Sequence, residues 1–132
     1  YQTYLVMIPS IDSMIIREPI KKQFLTIIME ENDNVYDCIK QAMTDNTVRK
    51  CTVTECNGSI KSAVINCFCR NNYQKIEFKN KQILKVSGEF KLTGNDLWGQ
   101  LKIFTEGKNP IQGTLSKGIA NENFTLKLSF VR

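Results

Sequence analysis

Hydrophobic and polar residues alternate along much of this chain, and the alternation is clearest near its end. There the apolar positions are Phe124, Leu126, Leu128 and Phe130. A period of two places successive side chains on opposite faces of a β-strand. Similar alternation over 62–70, 84–92 and 97–103, interrupted by turn residues, predicts an antiparallel β architecture such as a sandwich.

Three short apolar runs in the first part of the chain predict further strands, at 4–8, 14–16 and 24–29. The first run stops at Pro9, which predicts a strand at the edge or end of a sheet because proline cannot donate a ladder hydrogen bond. The third run is rich in β-branched residues, which favours a strand over a helix.

The period changes to that of a helix after residue 34. The apolar residues at helical spacing are Val35, Cys38, Ile39, Ala42 and Met43. Asn32, Asp33 or Asn34 is suited to cap the start, and the helix is expected to end near 44–46. The sequence predicts this one helix of two to three turns, with Cys38 on its apolar face.

Turn residues divide the second half of the chain. Asn57-Gly58 is the dipeptide most typical of a hairpin, and 93–96 predicts another turn. Phe78 is expected in one strand, and 84–92 in a longer one that is bent at Gly88. The whole chain, residues 1–132, is predicted to be a single, mainly β domain: an antiparallel β-sandwich or cup with one short helix.

Composition excludes several kinds of catalytic site. Apolar residues make up 42% of the chain and charged residues 23%, which suits one ordered core, and there is no histidine. Ser-His, Cys-His and His-metal sites are therefore impossible within this chain. Glu30, Glu31 and Asp33 could suggest a glycosidase, but nothing marks a second carboxylate facing them. We expect a protein that is not an enzyme and that uses no cofactor.

Five cysteines predict a disulfide-stabilised fold in an oxidising compartment. They are Cys38, Cys51, Cys56, Cys67 and Cys69. Cys67 and Cys69 share a strand face and would bridge to different partners, and an odd cysteine could link two chains. The alternatives are inert buried thiols in a cytosolic protein, or zinc, although no C-x-x-C is present. We expect no metal.

Two sequons, at Asn57 and Asn123, agree with a secreted glycoprotein. No basic n-region with an apolar h-region opens the sequence, so a signal peptide was removed or was never there.

The chain carries a net charge of +5, and basic residues outnumber acidic ones six to two over 70–91. Such a stretch favours an anionic membrane surface or an acidic protein, although a solvated strand face would have the same composition. Nucleic acid binding would add the aromatic residues Tyr73, Phe78 and Trp98 to this stretch. Secretion would remove that partner, so we expect no nucleic acid.

The second half resembles the GM2-activator branch of the MD-2-related lipid-recognition proteins. The resemblance rests on Cys67-Phe68-Cys69, a strand ending in Phe78, then 88–92, 99–103 and a closing strand. It implies a secreted β-cup that holds a lipid between two sheets. The chain departs from the family in its shorter length and in having fewer cysteines.

These observations lead to one functional expectation: non-enzymatic binding of a lipid or another apolar molecule between two sheets. The expected ligand-binding residues are Phe78, Leu84, Val86, Phe90, Trp98, Leu101, Ile103, Phe124, Leu126 and Leu128. Trp98, with Lys85 and Lys102, would face the head groups. The alternative is a secreted protein-binding module, an effector, adhesin or inhibitor, that uses a basic face or a sheet edge.

Overall fold

A computed structural model of the chain describes residues 2–9, 21–69, 72–106 and 109–131. Eight strands and one helix make up the described part. Their bounds are β1 Gln2–Pro9, β2 Lys21–Met29, α1 Val35–Asp45, β3 Lys50–Asn57, β4 Ser59–Cys69, β5 Asn72–Thr93, β6 Asp96–Thr105, β7 Ile111–Ala120 and β8 Phe124–Val131. The predicted strand at 14–16 lies outside the described residues.

The strands form one antiparallel sheet in the order β1-β2-β8-β3-β5-β4-β7-β6. β6 also pairs with β5, so β5, β4, β7 and β6 close into a ring, whereas β1 forms the open edge. The prediction of a mainly β, antiparallel fold with one helix is confirmed. Two separate sheets facing each other are not formed by the described strands.

β5 is a single strand of 22 residues, although the sequence predicted two. Its first half pairs with β4, and its second half pairs with β6 and, over three residues, with β3. The register shifts between Ile83 and Lys85. A shift of one residue exchanges the inward and outward faces of a strand. Leu84 is therefore 58% exposed, and its predicted inward position is wrong, whereas Val86 and Phe90 are buried as predicted.

Asn57-Gly58 does not form a hairpin, which corrects the sequence prediction. β3 pairs with β5 and β8, whereas β4 pairs with β5 and β7, so the strands that flank this turn are not neighbours. Gly58 has a φ of 112°, and a Cβ there would lie 3.1 Å from the Cα of Phe124. The glycine thus lets the chain leave β3 close to the start of β8.

The helix forms where the sequence predicted it. The side chain of Asn34 accepts a hydrogen bond from the backbone N–H of Asp37 at 3.1 Å, which identifies Asn34 as the N-cap. The five apolar residues of the predicted face are all buried, and α1 packs against β7 and β2.

The space enclosed by the sheet and the helix is filled by side chains. Phe78, Val86, Phe90, Leu101 and Phe124 are among the residues that line a residual cavity of about 30 Å³. That volume is close to the space of one water molecule, whereas pockets for small ligands measure about 300–1,000 Å³. The predicted cup with an apolar ligand between its layers is therefore wrong, because the layers are in direct contact.

The cysteines are part of this core, and the predicted disulfide framework is wrong for the cysteines whose side chains are described. Cys38, Cys51 and Cys56 are free, buried thiols, and Cys67 is also buried. Burial raises the pKa of Cys38 to about 11 and the pKa of Cys51 and of Cys56 to about 12. These three therefore act as small apolar side chains, which is the alternative that the sequence left open.

None of the helical structure in the described ranges is long and apolar enough to cross a membrane.

Candidate functional site on the outside of the strand ring

Outward-pointing polar and aromatic residues cover the strand ring where β5, β6 and β7 lie side by side. β6 shows the pattern most clearly, because Leu97, Leu101 and Ile103 are buried, whereas Trp98, Gln100 and Lys102 are exposed. The outer face consists of Lys50, Lys85, Ser87, Glu89, Lys91, Asp96, Trp98, Gln100, Lys102, Phe104, Gln112 and Thr114.

Lysines occupy both ends of the outer face. Lys50 and Lys91 are paired across β3 and β5, and each has its Nζ near a carboxylate oxygen of Glu89, at 3.8 and 3.7 Å. At the other end, Lys85 and Lys102 have their Nζ atoms 5.8 and 5.5 Å from the centre of the Phe104 ring. Four lysines against Glu89 and Asp96 give this face a net positive charge.

An open groove of about 640 Å³ lies beside the middle of the outer face. Tyr73 and Trp98, which are 81% and 60% exposed, stand at the groove together with the side chains of Gln100, Gln112 and Asn66. The Oδ1 atom of Asn66 is buried and accepts no hydrogen bond from the described residues. The groove therefore combines exposed aromatic rings with amide groups, one of which has an unused acceptor.

A second recess, of about 340 Å³, continues past the same amides. Gln100 and Gln112 line both recesses, and Ser87, Glu89 and Lys102 line the second one only. The two recesses form one cleft that runs beside β6 from Trp98 toward Lys102.

Gly88 and Gly113 allow the strands beneath the cleft to come close together. A Cβ at Gly88 would collide with the carbonyl oxygen of Gln100, and one at Gly113 with the carbonyl oxygen of Asn66. Gly88 also has a φ of 141°, which side chains disfavour. Both glycines therefore allow a close approach between neighbouring strands that any side chain would prevent.

The structure places the predicted ligand-binding residues in two different environments. Those buried in the packed core are Phe78, Val86, Phe90, Leu101, Ile103, Phe124, Leu126 and Leu128. Leu84 is exposed, and Trp98 shares the outer face with Lys85 and Lys102, the grouping that the sequence analysis proposed for them.

Sequence reasoning did not single out Gln100, Gln112 or Asn66. The alternation of apolar and polar residues does indicate them, because each is a polar residue at an outward position of a strand. The sequence analysis considered the apolar positions of these strands and not the polar ones. The two sequon asparagines, Asn57 and Asn123, are both exposed.

A smaller basic and aromatic cluster lies on the outward side of β2 and β8. The Nζ atoms of Lys22 and Lys127 are 5.6 and 5.0 Å from the centre of the Phe24 ring. These strands lie beyond β3 in the sheet, away from the cleft.

The residues do not fit a metal centre of the usual kind. The sequence has no histidine, and in the part of the chain that the structure describes, no three cysteine, aspartate or glutamate side chains gather in a group that could hold an ion.

Comparison with solved structures shows that the fold is an established one. A candidate DNA-binding protein from Ralstonia eutropha JMP134 is 12% identical with a TM-score of 0.63, and the match covers 82% of this chain and 77% of that chain. A metal-containing protein from Archaeoglobus fulgidus is 13% identical with a TM-score of 0.67, covering 82% and 79% of the two chains.

A third similar structure is a plant- and prokaryote-conserved (PPC) protein from Pyrococcus horikoshii. It is 14% identical with a TM-score of 0.59, and the match covers 100% of this chain and 80% of that chain. At such identities the likeness concerns the fold alone. No curated protein matches the sequence significantly.

The family comparison overturns the resemblance to the GM2-activator branch. The sequence matches the model of the Plants and Prokaryotes Conserved (PCC) domain over residues 17–127. That match spans most of the chain, whereas the resemblance rested on short motifs in its second half. The identification as a lipid-recognition protein is therefore wrong, and with the filled core the predicted lipid-binding function is wrong as well. The chain belongs to the Plants and Prokaryotes Conserved domain family.

Proposed function

We propose that this domain binds DNA through its outer face. One of the proteins with the same fold is a candidate DNA-binding protein, which gives the proposal its starting point. The observation that carries it in this chain is the charge of the outer face, where four lysines stand against two acidic residues, Glu89 and Asp96. The phosphate backbone supplies most of the affinity in nucleic acid complexes, and lysine is suited to contact it.

The dimensions of the outer face agree with such a contact. Trp98 and Phe104 are six positions apart on β6, which corresponds to roughly 20 Å at the usual rise of a strand. One strand of duplex DNA carries a phosphate about every 3.4 Å along the axis. The lysines at the two ends of the outer face thus span on the order of six phosphates.

This proposal replaces several predictions about partners. Nucleic acid was excluded on the ground that secretion would remove it as a partner, and the family and the DNA-binding description of a structural neighbour contradict that exclusion. Four further predictions are withdrawn with it: the lipid partner, the anionic membrane or acidic protein surface, the secreted protein-binding module, and the dimer linked through an odd cysteine. Secretion stays a prediction from the sequence, without the disulfides that were its main support.

We also propose that binding is not accompanied by catalysis. The chain has no histidine to act as a base near neutral pH. Burial raises the pKa of Cys51 and of Cys56 to about 12, so these thiols are protonated and poor nucleophiles.

A charge-removal experiment tests the DNA-binding surface. In the double variant Lys85→Gln/Lys102→Gln the outer face loses two positive charges, and affinity for a short duplex should fall by about tenfold or more. The slope of log K against log salt should decrease by about two, because each lost phosphate contact releases about one counterion fewer. Fluorescence anisotropy at several salt concentrations gives both quantities.

The matched control removes the same charge elsewhere. Lys40 lies on α1, and Lys61 contacts Glu31 and Asn32 at 3.5 and 2.7 Å, away from the outer face. Lys40→Gln/Lys61→Gln should leave affinity within about twofold of the wild type. Equal losses in both double variants would place binding elsewhere, and absence of any duplex or single-strand binding by the wild type would refute the proposed function.

A further inference from the structure

We propose that the groove at Tyr73 and Trp98 takes an unpaired nucleobase, so that the protein prefers single-stranded DNA to duplex. This inference rests on the proposed function and adds the form of the nucleic acid and the site that reads it. In a duplex the flat faces of the bases are stacked inside and cannot reach a protein groove. A single strand can turn its bases outward onto a protein surface.

The first support is the exposure of two aromatic rings at one groove. Tyr73 and Trp98 are 81% and 60% exposed, although large aromatic side chains normally gain stability from burial. Tyr73 lies near the start of β5 and Trp98 near the start of β6, and both border the same space of about 640 Å³. Stacking on such rings is the common way in which proteins hold unpaired bases of any sequence.

The second support is the chemistry of the groove wall. Gln100, Gln112 and Asn66 line it, and no described residue receives or gives a side-chain hydrogen bond with either glutamine. An amide offers a donor and an acceptor side by side, which matches the edge of a base. Asn66 Oδ1 is itself buried, so the amides of Gln100 and Gln112 are the groups that the edge of a bound base would meet.

The third support is the register of the strands, which brings these amides together. Asn66 is paired with Thr114, and Thr114 is paired with Gln100, so the three lie in one row across β4, β7 and β6. Adjacent strands are about 4.8 Å apart. Asn66 and Gln100 therefore lie on the same face of the sheet, roughly 10 Å apart, with Thr114 between them.

Lysines stand where the backbone of such a strand would pass. Lys91 is the cross-strand partner of Trp98, and Lys102 is the partner of Gln112. The phosphates that flank a base bound in the groove would thus lie near a lysine on either side. This arrangement of stacking rings within a basic track is typical of proteins that bind single strands.

Trp98 provides a direct reporter, because it is the one tryptophan in the sequence. The full chain is titrated with an oligothymidine, with a duplex of equal length and with an abasic oligonucleotide that keeps the phosphates but lacks the bases. We expect quenching of Trp98 fluorescence by oligothymidine. Affinity for the abasic strand should be at least about tenfold lower, since stacking of one base contributes a factor of that order.

Two variants distinguish the contribution of contacts with the bases from that of contacts with the charged backbone. Gln100→Leu/Gln112→Leu should reduce the preference for oligothymidine over the abasic strand and leave the salt slope unchanged. Gln82→Leu, at an exposed β5 position outside the groove, is the matched control and should retain the preference.

The outcomes distinguish this inference from the function on which it rests. Equal affinity for oligothymidine and the abasic strand, or tighter binding of duplex without quenching, would overturn the groove and leave DNA binding in place. Quenching by a free thymidine nucleotide without binding of any strand would also overturn it. No binding of any probe would overturn both.

Discussion

At the scale of single residues, Gly88 is the position where the fold is least able to accept a side chain. It combines a φ of 141° with a direct approach to the carbonyl oxygen of Gln100. Gly88→Ala should lower the free energy of unfolding by about 3 kcal/mol or more, because strain at positive φ adds to overpacking. Urea unfolding measures this loss.

Gly94 supplies the control for that substitution. Its φ is 60°, and a Cβ there would meet nothing within 4 Å. Gly94→Ala should therefore cost only about 1–2 kcal/mol, from the backbone conformation alone. Equal costs at the two positions would show that the strands beneath the cleft do not approach each other as described.

Inward residues were the easiest to predict at this scale. Leu126, Leu128, Leu101 and Ile103 lie in the core because a regular strand keeps its alternation over its whole length. The predicted inward position of Leu84 was wrong because this residue lies at a register shift, and no local sequence signal specifies a shift. The amides of the candidate site were missed because the sequence does not show which polar outward residues become neighbours. That depends on the order of the strands in the sheet.

At the scale of elements, α1 depends on its N-cap. Asn34→Ala removes the side-chain oxygen that accepts from the N–H of Asp37. The free energy of unfolding should fall by about 1 kcal/mol. Asn95→Ala, in the exposed turn between β5 and β6, should change it by less than about 0.5 kcal/mol. Thermal or urea unfolding of the two variants compares them, and an equal effect would argue against the cap.

The helix and the strands differ in how far the sequence specified them. α1 was predicted with its cap and its buried face because its signals lie within a dozen consecutive residues. Asn57-Gly58 is an equally local signal, but it misled, because the partners of β3 and β4 are chosen by distant strands. That β5 is one continuous strand was missed for a related reason, because its two halves pair with different strands.

At the scale of the whole molecule, the buried thiols connect stability to pH. Burial raises the pKa of Cys51 and of Cys56 from 9.0 to about 12. Above about pH 9 the unfolded chain releases these protons while the folded chain keeps them, so stability should fall between about pH 9 and about pH 12. The measurement is the unfolding free energy at about pH 8 and about pH 10.5.

A thiol-free comparison isolates this effect from other groups. Cys51→Ala/Cys56→Ala is less stable near pH 8, since it leaves cavities, but its decline toward pH 10.5 should be shallower than that of the wild type. Parallel declines would show that these thiols are not kept protonated by the fold. A reducing agent should leave the unfolding midpoint of the wild type unchanged, because Cys38, Cys51 and Cys56 are already free.

The global arrangement was the part that sequence reasoning could not reach. Composition and turn spacing predicted an antiparallel β domain correctly, but they are compatible with a hollow cup and with a filled ring alike. The five clustered cysteines suggested bridges, and only the placement of Cys38, Cys51 and Cys56 in the core shows why thiols are retained there. The proposed function could not be predicted from the sequence for the same reason. It depends on a surface that forms only when β5, β6 and β7 lie side by side.

The position of β8 in the sheet also sets an order of events during synthesis. β8 is the last strand along the described chain, yet it lies between β2 and β3, which are made much earlier. Until residues 124–131 leave the ribosome, those two strands have no partner on the side that β8 will occupy. A nascent chain that pauses before this point exposes two unpaired edges, and we expect it to depend on chaperones more than the finished domain does.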